Sequence, residues 1–132
     1  VFLRGPSASG KSDLALRLMD RGAILVADDQ VLITHKSAGL RAAAPDSLYG
    51  LLEVRGVGII SVPAIKGTIV RLVVDLVDSI AVQRLPENIT TLLDGKEITC
   101  LQLNAFEVST PIKIELALRN LNRIGGIEKQ YR

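Results

Sequence analysis

Hydrophobic residues at the start of the chain follow the order of a strand, a loop and a helix. Residues 1–4 form a short apolar run, and apolar side chains recur at helical spacing over residues 12–21, with Gly22 placed to end the helix. Residues 23–27 are continuously apolar, too short for a helix and without polar alternation, which is typical of a strand covered on both faces. The pattern therefore predicts a β-α-β unit at the start of the chain.

The middle of the chain is less regular. Residues 30–35 predict a further strand, and residues 36–50, which are polar and contain Ala and Pro, predict a loop. Residues 51–62 are apolar but include Gly56 and Gly58, and glycine is costly within a regular element unless the backbone needs its freedom. This pattern marks residues 51–62 as a candidate functional segment.

The last part of the chain contains strand signals followed by a helix signal. Residues 68–77 predict one long strand, and the apolar runs within residues 91–103 flank the turn pair at residues 94–95, which predicts a hairpin. Thr110 is placed to cap a helix over residues 111–122, since a proline occupies its first position. These elements together predict an α/β fold.

Length and composition limit the possible classes of protein. A chain of 132 residues has room for one core, so we predict a single domain over residues 1–132. Hydrophobic residues at 48% and charged residues at 23% are ordinary for a globular protein and exclude a disordered tail. The net charge is +2, and the aromatic residues are two phenylalanines and two tyrosines, so nucleic-acid binding is not expected.

Cysteine usage and hydropathy indicate the compartment. Cys100 is the only cysteine, which excludes an internal disulfide and a site made of several thiolates. No apolar run is long enough to cross a bilayer, and no signal-peptide pattern is present. We therefore expect a cytoplasmic protein without a membrane partner. Because Val1 lies within the predicted first strand, we also expect residues before it.

The segment after the first predicted strand matches the pattern G-x-x-x-x-G-K-[ST]. Glycines let backbone N–H groups turn inward, and the following helix adds the positive end of its dipole. Lys11 can reach the terminal phosphates of a nucleotide, and the Ser12 hydroxyl can ligate Mg²⁺. Since a strand precedes the segment and a helix follows it, we predict a phosphate-binding loop rather than an ordinary Gly-Ser turn. Its residues are Gly5, Pro6, Ser7, Ala8, Ser9, Gly10, Lys11 and Ser12.

Two adjacent acids, Asp28 and Asp29, follow the predicted strand over residues 23–27. Ligands of α/β proteins bind at the carboxyl ends of parallel strands. One carboxylate could hold Mg²⁺ or its water ligands, while the other accepts a proton from an attacking hydroxyl. The alternative is a solvated turn, which Asp often forms. In a chain with a phosphate loop, we favour the functional interpretation.

Glu53 and Arg55 stand two residues apart in the glycine-containing segment. On an extended backbone their side chains point to the same face. Glu53 could add a metal ligand, and Arg55 could bind phosphoryl oxygens through its planar guanidinium. The alternative is a surface ion pair, which contributes little to stability.

Three segments together resemble the catalytic domain of HPr kinase/phosphorylase. They are residues 5–12 with Asp13-Leu14-Ala15-Leu16 after them, Leu25-Val26-Ala27-Asp28-Asp29, and Leu52-Glu53-Val54-Arg55-Gly56-Val57-Gly58-Ile59-Ile60. The resemblance is dense over residues 1–62, and it is specific because a common phosphate loop is joined to two rarer segments in the family's order. By this resemblance, residues 53–60, which include Arg55, would correspond to the family signature that shapes the catalytic centre.

The resemblance implies a fold and an activity. The fold is a P-loop nucleotide-binding domain with a mixed sheet, related to bacterial phosphoenolpyruvate carboxykinase. The activity is the ATP- and Mg²⁺-dependent phosphorylation of a serine of the phosphocarrier protein HPr, with reverse phosphorolysis by inorganic phosphate, in the regulation of a phosphotransferase system. The resemblance is to the short proteobacterial type, and it implies a homo-oligomer, a hexamer.

The resemblance also implies roles for single residues. Lys11 would contact the β- and γ-phosphates, while Ser12 and Glu53 would bind Mg²⁺. Asp29 would accept the proton of the serine in the forward reaction and return it in reverse. Asp28 is its immediate partner, and the sequence leaves open which acid performs which task.

Two other functions are compatible with a phosphate loop. One is a P-loop kinase that acts on a small metabolite, although no Arg-rich lid segment follows the second predicted strand. The other is a nucleotide sensor that signals through protein contact without catalysis. Competition between ATP and inorganic phosphate would favour the phosphorolytic family over both.

Overall fold

The computed structural model describes residues 1–87 and 89–121, in which nine strands and two α-helices form two units. Residues 1–14 and the described residues from 71 onward form unit 1, and residues 15–70 form unit 2. One domain over residues 1–132 stays a prediction. The strands are β1 (Phe2–Arg4), β2 (Leu32–Lys36), β3 (Gly39–Ala43), β4 (Leu51–Val54), β5 (Gly58–Ser61), β6 (Thr68–Ile69), β7 (Val73–Leu76), β8 (Thr90–Leu93) and β9 (Lys96–Leu103), and the helices are α1 (Lys11–Asp20) and α2 (Thr110–Arg119).

Both helices are short. Each contains 10 residues. In the described part of the chain, no helix is long and apolar enough to cross a membrane.

Unit 1 contains a mixed four-stranded sheet in the order β1-β7-β9-β8. β1 is parallel to β7 and β7 is parallel to β9, whereas β8 is antiparallel to β9. Val73 and Val74 on the inner strand β7 are fully buried, as expected for a parallel strand covered on both faces. The predicted α/β fold with a mixed sheet is confirmed.

Helix α1 ends in a hydrogen-bonded glycine motif. The N–H of Gly22 donates to Met19 O and the N–H of Ala23 donates to Leu18 O, both at 3.0 Å. This pair of bonds is the Schellman motif, in which a residue with positive φ satisfies the last carbonyls of a helix. The predicted helix and its glycine stop are confirmed.

The β8–β9 hairpin turns at the predicted position. Asp94 has a φ of 48° and Gly95 has a φ of 80°. A two-residue turn with positive φ at both positions matches the twist of the flanking strands. Thr91 pairs with Ile98 and Leu93 pairs with Lys96 across it.

Helix α2 begins one residue before the predicted start. Ser109 is its N-cap and makes no side-chain capping bond. Thr110 is the first helical residue, and its hydroxyl donates to Asn104 O at 2.5 Å. The prediction of Thr110 as the capping residue is therefore wrong, because its hydroxyl bonds to the preceding loop rather than to the helix. The helix ends at Arg119, and the predicted end at residue 122 lies outside the described residues.

Unit 2 contains a second hairpin where a loop was expected. β2 and β3 are antiparallel and are joined by a two-residue turn between Lys36 and Gly39, and β6 pairs with β3. The prediction of a loop over residues 36–50 holds for residues 44–50, which contain no strand, but it is wrong at residues 39–43, where Leu40 and Ala42 are buried at alternate positions of β3. A period of two places both on one face of a strand, although the Ala-rich composition gives a weak strand signal.

Residues 23–27 do not form the predicted strand. They make a single parallel bridge, between Leu25 and Ala64, and the side chain of Ile24 is 55% exposed. The parallel neighbour of β1 is β7 instead. The predicted β-α-β unit is therefore wrong, since an apolar run of this length indicates burial but does not specify a pairing partner.

Residues 68–77 form two strands rather than one. β6 pairs with β3 in unit 2, whereas β7 lies between β1 and β9 in unit 1. The prediction of one continuous strand is wrong at residues 70–72, where the chain passes from one sheet to the other. The break includes the exposed Arg71, but a single charged residue within an otherwise mostly apolar run does not show that the two halves pair in different sheets.

Candidate functional site

Residues 5–10, which we call the glycine loop, connect β1 to α1 in unit 1. The backbone enters the left-handed region at Ala8, with a φ of 64°, and at Gly10, with a φ of 92°. A Cβ at position 10 would be strained by this φ and would lie 2.8 Å from the Cβ of Ala105, so glycine is required there. A turn of this kind before a helix directs backbone N–H groups to one point and suits an anion.

The hydroxyl of Ser9 is an unsatisfied polar group in the glycine loop. Ser9 Oγ is buried and has no hydrogen-bond partner within the residues that the structure describes. It lies against Gly5, where an added Cβ would be 2.8 Å from it. A buried hydroxyl without a partner costs about 1–3 kcal/mol, and a ligand oxygen at the loop would remove this cost. Pro6 and Ser7 are exposed.

Lys11, the first residue of α1, returns its side chain to the glycine loop. Its Nζ donates to Gly5 O at 2.6 Å. Among the described residues, no carboxylate pairs with this ammonium group. Ser12 follows in the first turn of α1 and is exposed. The ammonium charge and the positive end of the helix dipole therefore both act at the glycine loop.

A polar cluster fixes the strand that leads into the glycine loop. Arg4 faces Asp75 in the parallel register of β1 and β7, and its guanidinium binds the carboxylate at 2.6 and 2.9 Å. Thr91 Oγ1 accepts a further bond from Arg4, at 2.8 Å, and Cys100 Sγ donates to Asp75 at 3.3 Å. No local pattern in the sequence predicts this cluster, because the register that joins Arg4 to Asp75 depends on how the two strands pair.

The cluster shifts two pKa values. The hydrogen bonds from Arg4 hold the pKa of Asp75 below its ordinary range. Burial, assisted by the Asp75 carboxylate, raises the pKa of the Cys100 thiol to about 11. Both shifts favour a charged Asp75 and a neutral Cys100 near neutral pH.

In unit 2, the structure brings Asp28 and Glu53 together. Asp28 Oδ2 accepts a hydrogen bond from the backbone N–H of Glu53 at 3.0 Å. Glu53 lies on β4, opposite Ile59 of β5, and it is exposed. The Asp28 carboxylate therefore connects the segment of the two acids to the β4–β5 hairpin.

The carboxylate of Asp29, unlike that of Asp28, is not engaged within the part of the chain that the structure describes. Asp29 is exposed, and its carboxylate has no hydrogen bond or ion pair among the described residues. A negative charge without a partner is available to an incoming group. The two adjacent acids are thus in different situations, one bonded to the backbone and one free.

Arg55 lies in the turn of the β4–β5 hairpin rather than on a strand. β4 ends at Val54, and the N–H of Val57 donates to Val54 O at 2.9 Å. The expectation of an extended backbone from Glu53 through Arg55 is therefore wrong. Gly56 has a φ of 88° and closes the turn.

The donor groups fit a metal ion only in part. Within residues 1–87 and 89–121, no three His, Cys, Asp or Glu side chains are placed to hold a metal ion. Mg²⁺ commonly takes one or two protein ligands and completes its shell with phosphate oxygens and water. Ser12 of unit 1 and Glu53 of unit 2 are each exposed oxygen donors, the ligand type that Mg²⁺ prefers.

Comparisons with known proteins give a consistent result. Residues 1–114 match the family model described as HPr Serine kinase C-terminal domain. The chain is 37% identical over 142 residues to an HPr kinase/phosphorylase of Bordetella pertussis, an alignment that covers 97% of this chain and 46% of that protein. It is 48% identical over 67 residues to an HPr kinase/phosphorylase of Clostridium novyi, covering 51% of this chain and 22% of that protein. The chain thus spans about half the length, or less, of these curated relatives.

A solved structure is similar to the chain as well. It is described as the structure of the Hpr(Ser) kinase/phosphatase from Coxiella burnetii. The TM-score is 0.78 at 26% sequence identity, and the match covers 90% of this chain and 80% of that chain.

Proposed function

Because the chain belongs to the family of the HPr Serine kinase C-terminal domain, we propose that it transfers the γ-phosphoryl group of ATP to a serine of an HPr-type phosphocarrier protein. In this role it would regulate a phosphotransferase system. The names of the Bordetella pertussis and Clostridium novyi relatives support this reaction class. The observation that carries the proposal is the glycine loop, with its left-handed turns, its unsatisfied Ser9 hydroxyl and the ammonium group of Lys11.

The glycine loop is proposed to act as a P-loop that holds the triphosphate of ATP. Lys11 would exchange its bond to Gly5 O for bonds to the β- and γ-phosphate oxygens, since a phosphate is a stronger acceptor than a carbonyl. The buried hydroxyl of Ser9 would gain the partner that it lacks. The residues proposed for the nucleotide are Gly5, Pro6, Ser7, Ala8, Ser9, Gly10, Lys11 and Ser12.

Mg²⁺ is the proposed metal ion. When bound, it would neutralise charge on the β- and γ-phosphate oxygens. Ser12 and Glu53 are the proposed protein ligands, and both are exposed oxygen donors. This small donor set is consistent with an ion held mainly by phosphate and water.

Asp29 is proposed as the general base. It would accept the proton of the serine hydroxyl as the serine oxygen forms a bond to the γ-phosphorus and the bond to the β-phosphate oxygen breaks. Asp28 is the weaker candidate, because its carboxylate already accepts the N–H of Glu53. We propose that Asp28 orients the segment and that Asp29 moves the proton.

Arg55 is proposed to bind phosphoryl oxygens. It is exposed in the hairpin turn, and its planar guanidinium can donate two parallel bonds to a phosphoryl group. In the reverse reaction, inorganic phosphate would attack the seryl phosphate, giving pyrophosphate, and Asp29 would return the proton to the serine oxygen.

Three expectations from the sequence remain part of this proposal. They are a relationship of the fold to bacterial phosphoenolpyruvate carboxykinase, assembly into a hexamer, and a cytoplasmic location. The free, buried Cys100 is consistent with a reducing compartment.

The proposal is tested by incubating the whole protein with γ-labelled ATP, Mg²⁺ and purified HPr. Labelled phosphoserine on HPr is the expected result. Label on a small metabolite in place of HPr would favour a metabolite kinase. ATP binding without transfer to any acceptor would favour a nucleotide sensor.

A further inference from the structure

A second loop of unit 1 lies at the same sheet edge as the glycine loop. Strands β1, β7 and β9 are parallel, so their carboxyl ends lie at one edge. The glycine loop follows β1, and residues 104–106 follow β9. Ligands of open α/β sheets bind outside the carboxyl ends of the strands. Residues 104–106 are therefore at the edge where a ligand of the glycine loop would bind.

The ring of Phe106 lies against the glycine loop and is mostly exposed. An added Cβ on Gly10 would be 3.1 Å from two ring atoms of Phe106. Even so, 67% of Phe106 is accessible to solvent, whereas the preceding Ala105 is 1% accessible. The chain contains two phenylalanines, and this one forgoes most of the stabilisation that burial of an aromatic ring would provide.

Hydrogen bonds hold the Phe106 loop in place. The N–H of Phe106 donates to Asn104 Oδ1 at 2.9 Å, and Asn104 Nδ2 donates to Val77 O at 3.0 Å. Thr110 Oγ1 donates to the backbone carbonyl of Asn104. The exposed ring is therefore carried by a fixed segment, and both ends of the Asn104 amide are engaged within the protein. The group that remains for a ligand is the aromatic face.

We propose that Phe106 stacks on the nucleobase of the nucleotide whose phosphates the glycine loop binds. This inference rests on the proposed function and adds the residue that binds the nucleoside part. Stacking uses the π-face that every nucleobase has, so Phe106 contributes affinity for nucleotides over polyphosphates with little choice among bases. The fixed loop pre-orders the ring and lowers the entropic cost of binding.

The test compares ATP with tripolyphosphate, which has the phosphates but no nucleoside. Dissociation constants are measured by titration calorimetry on the whole protein, with Phe106→Ala, Phe106→Tyr and the control Val108→Ala. Val108 is 91% exposed in the same segment. In Phe106→Ala we expect ATP binding to weaken about tenfold and tripolyphosphate binding to stay unchanged. Phe106→Tyr keeps the aromatic face and should bind ATP like the wild type, as should Val108→Ala.

Each other outcome overturns the inference. If Phe106→Ala binds both ligands equally more weakly, the ring supports the glycine loop and does not contact the nucleobase. If neither affinity changes, the ring makes no contact with the ligand. A wild-type protein that binds neither ATP nor tripolyphosphate would overturn the proposed function as well, so the two failures are distinguishable.

Discussion

Arg4 and Asp75 face each other in register on adjacent parallel strands, and the guanidinium binds the carboxylate through two hydrogen bonds, at 2.6 and 2.9 Å. Arg4 is the last residue of β1, so this pair fixes the strand at the point where the glycine loop begins. A planar guanidinium and a carboxylate match in only a few geometries. The pair therefore sets the register as well as adding stability.

Replacement of Asp75 should destabilise the fold in a pH-dependent way. We expect Asp75→Asn to lower the free energy of unfolding by about 1–2 kcal/mol at neutral pH, since charge-assisted bonds between partly exposed groups are lost. The pKa of Asp75 is lowered in the folded state. Its contribution is therefore present above the ordinary Asp pKa of about 4 and is lost as the pH falls through the folded value. Urea unfolding at several pH values measures the difference between variant and wild type.

Asp78→Asn is the matched control for this experiment. Asp78 is exposed shortly after β7, and its side chain makes no capping bond. Its replacement should leave the unfolding free energy within about 0.5 kcal/mol of the wild type. A loss in Asp75→Asn that stays constant as the pH falls below about 4 would contradict the ionic role of Asp75.

Replacement of Lys11 should strongly lower the proposed phosphoryl transfer. Its ammonium is held at the glycine loop by Gly5 O, so Lys11→Ala deletes the charge proposed to bind the terminal phosphates. We expect transfer to HPr to fall at least about 100-fold and ATP binding to weaken. Lys96→Ala, an exposed lysine at the β8–β9 turn, is the control and should transfer normally. Wild-type transfer by Lys11→Ala would exclude the proposed role.

Replacement of Asp29 and replacement of Asp28 should have different effects. Asp29→Asn is expected to lower transfer by about 10²–10⁴-fold, the usual contribution of a general base, while ATP affinity and stability stay unchanged. Asp28→Ala removes the acceptor of the Glu53 N–H and should lower the unfolding free energy by about 0.5–1.5 kcal/mol. Kinetics of phosphoryl transfer and urea unfolding, each measured on both variants, test these two expectations. The opposite pattern would assign the proton transfer to Asp28.

Local signals in the sequence were sufficient where one turn determines the backbone. The Asp94-Gly95 hairpin and the glycine stop after α1 depend on positive φ values within a few residues, and both were predicted. Residues 23–27 were mispredicted, because their hydrophobicity indicates burial of Leu25 but not its single bridge to Ala64. Pairing partners depend on the whole fold.

In the candidate site, too, local sequence predicts the residue types but not the contacts between distant residues. The residue types of the glycine loop were evident from its motif. The bond from the Glu53 backbone to Asp28, by contrast, joins residues 25 positions apart, and it distinguishes two acids that are equivalent in the sequence. The contact of Phe106 with Gly10 likewise depends on the order of strands in the sheet.

Stability at alkaline pH should depend on Cys100. Its pKa is raised from 9.0 to about 11 in the folded state, so the neutral thiol stabilises the fold below about pH 9, and this contribution is lost as the pH rises toward 11. Cys100→Ser has no titrating thiol. Its unfolding free energy should therefore fall less steeply than that of the wild type between about pH 9 and 11. If the unfolding free energies of the wild type and Cys100→Ser, measured by urea unfolding, fall in parallel over this pH range, the raised pKa of Cys100 is contradicted.

Alanine variants of Gly10 and Gly22 distinguish two ways in which an added Cβ can destabilise the fold, namely backbone strain and close packing. Both have positive φ, 92° and 106°, so alanine at either position should cost about 1–2 kcal/mol in backbone strain. An added Cβ at Gly22 meets no atom within 4 Å, whereas at Gly10 it would approach Ala105 to 2.8 Å. Gly10→Ala should therefore lower the unfolding free energy by about 1–3 kcal/mol more than Gly22→Ala does, and it alone should weaken ATP binding. Equal losses in urea unfolding would mean that the Ala105 segment moves aside, and the glycine loop would then not be held as closely as the contact implies.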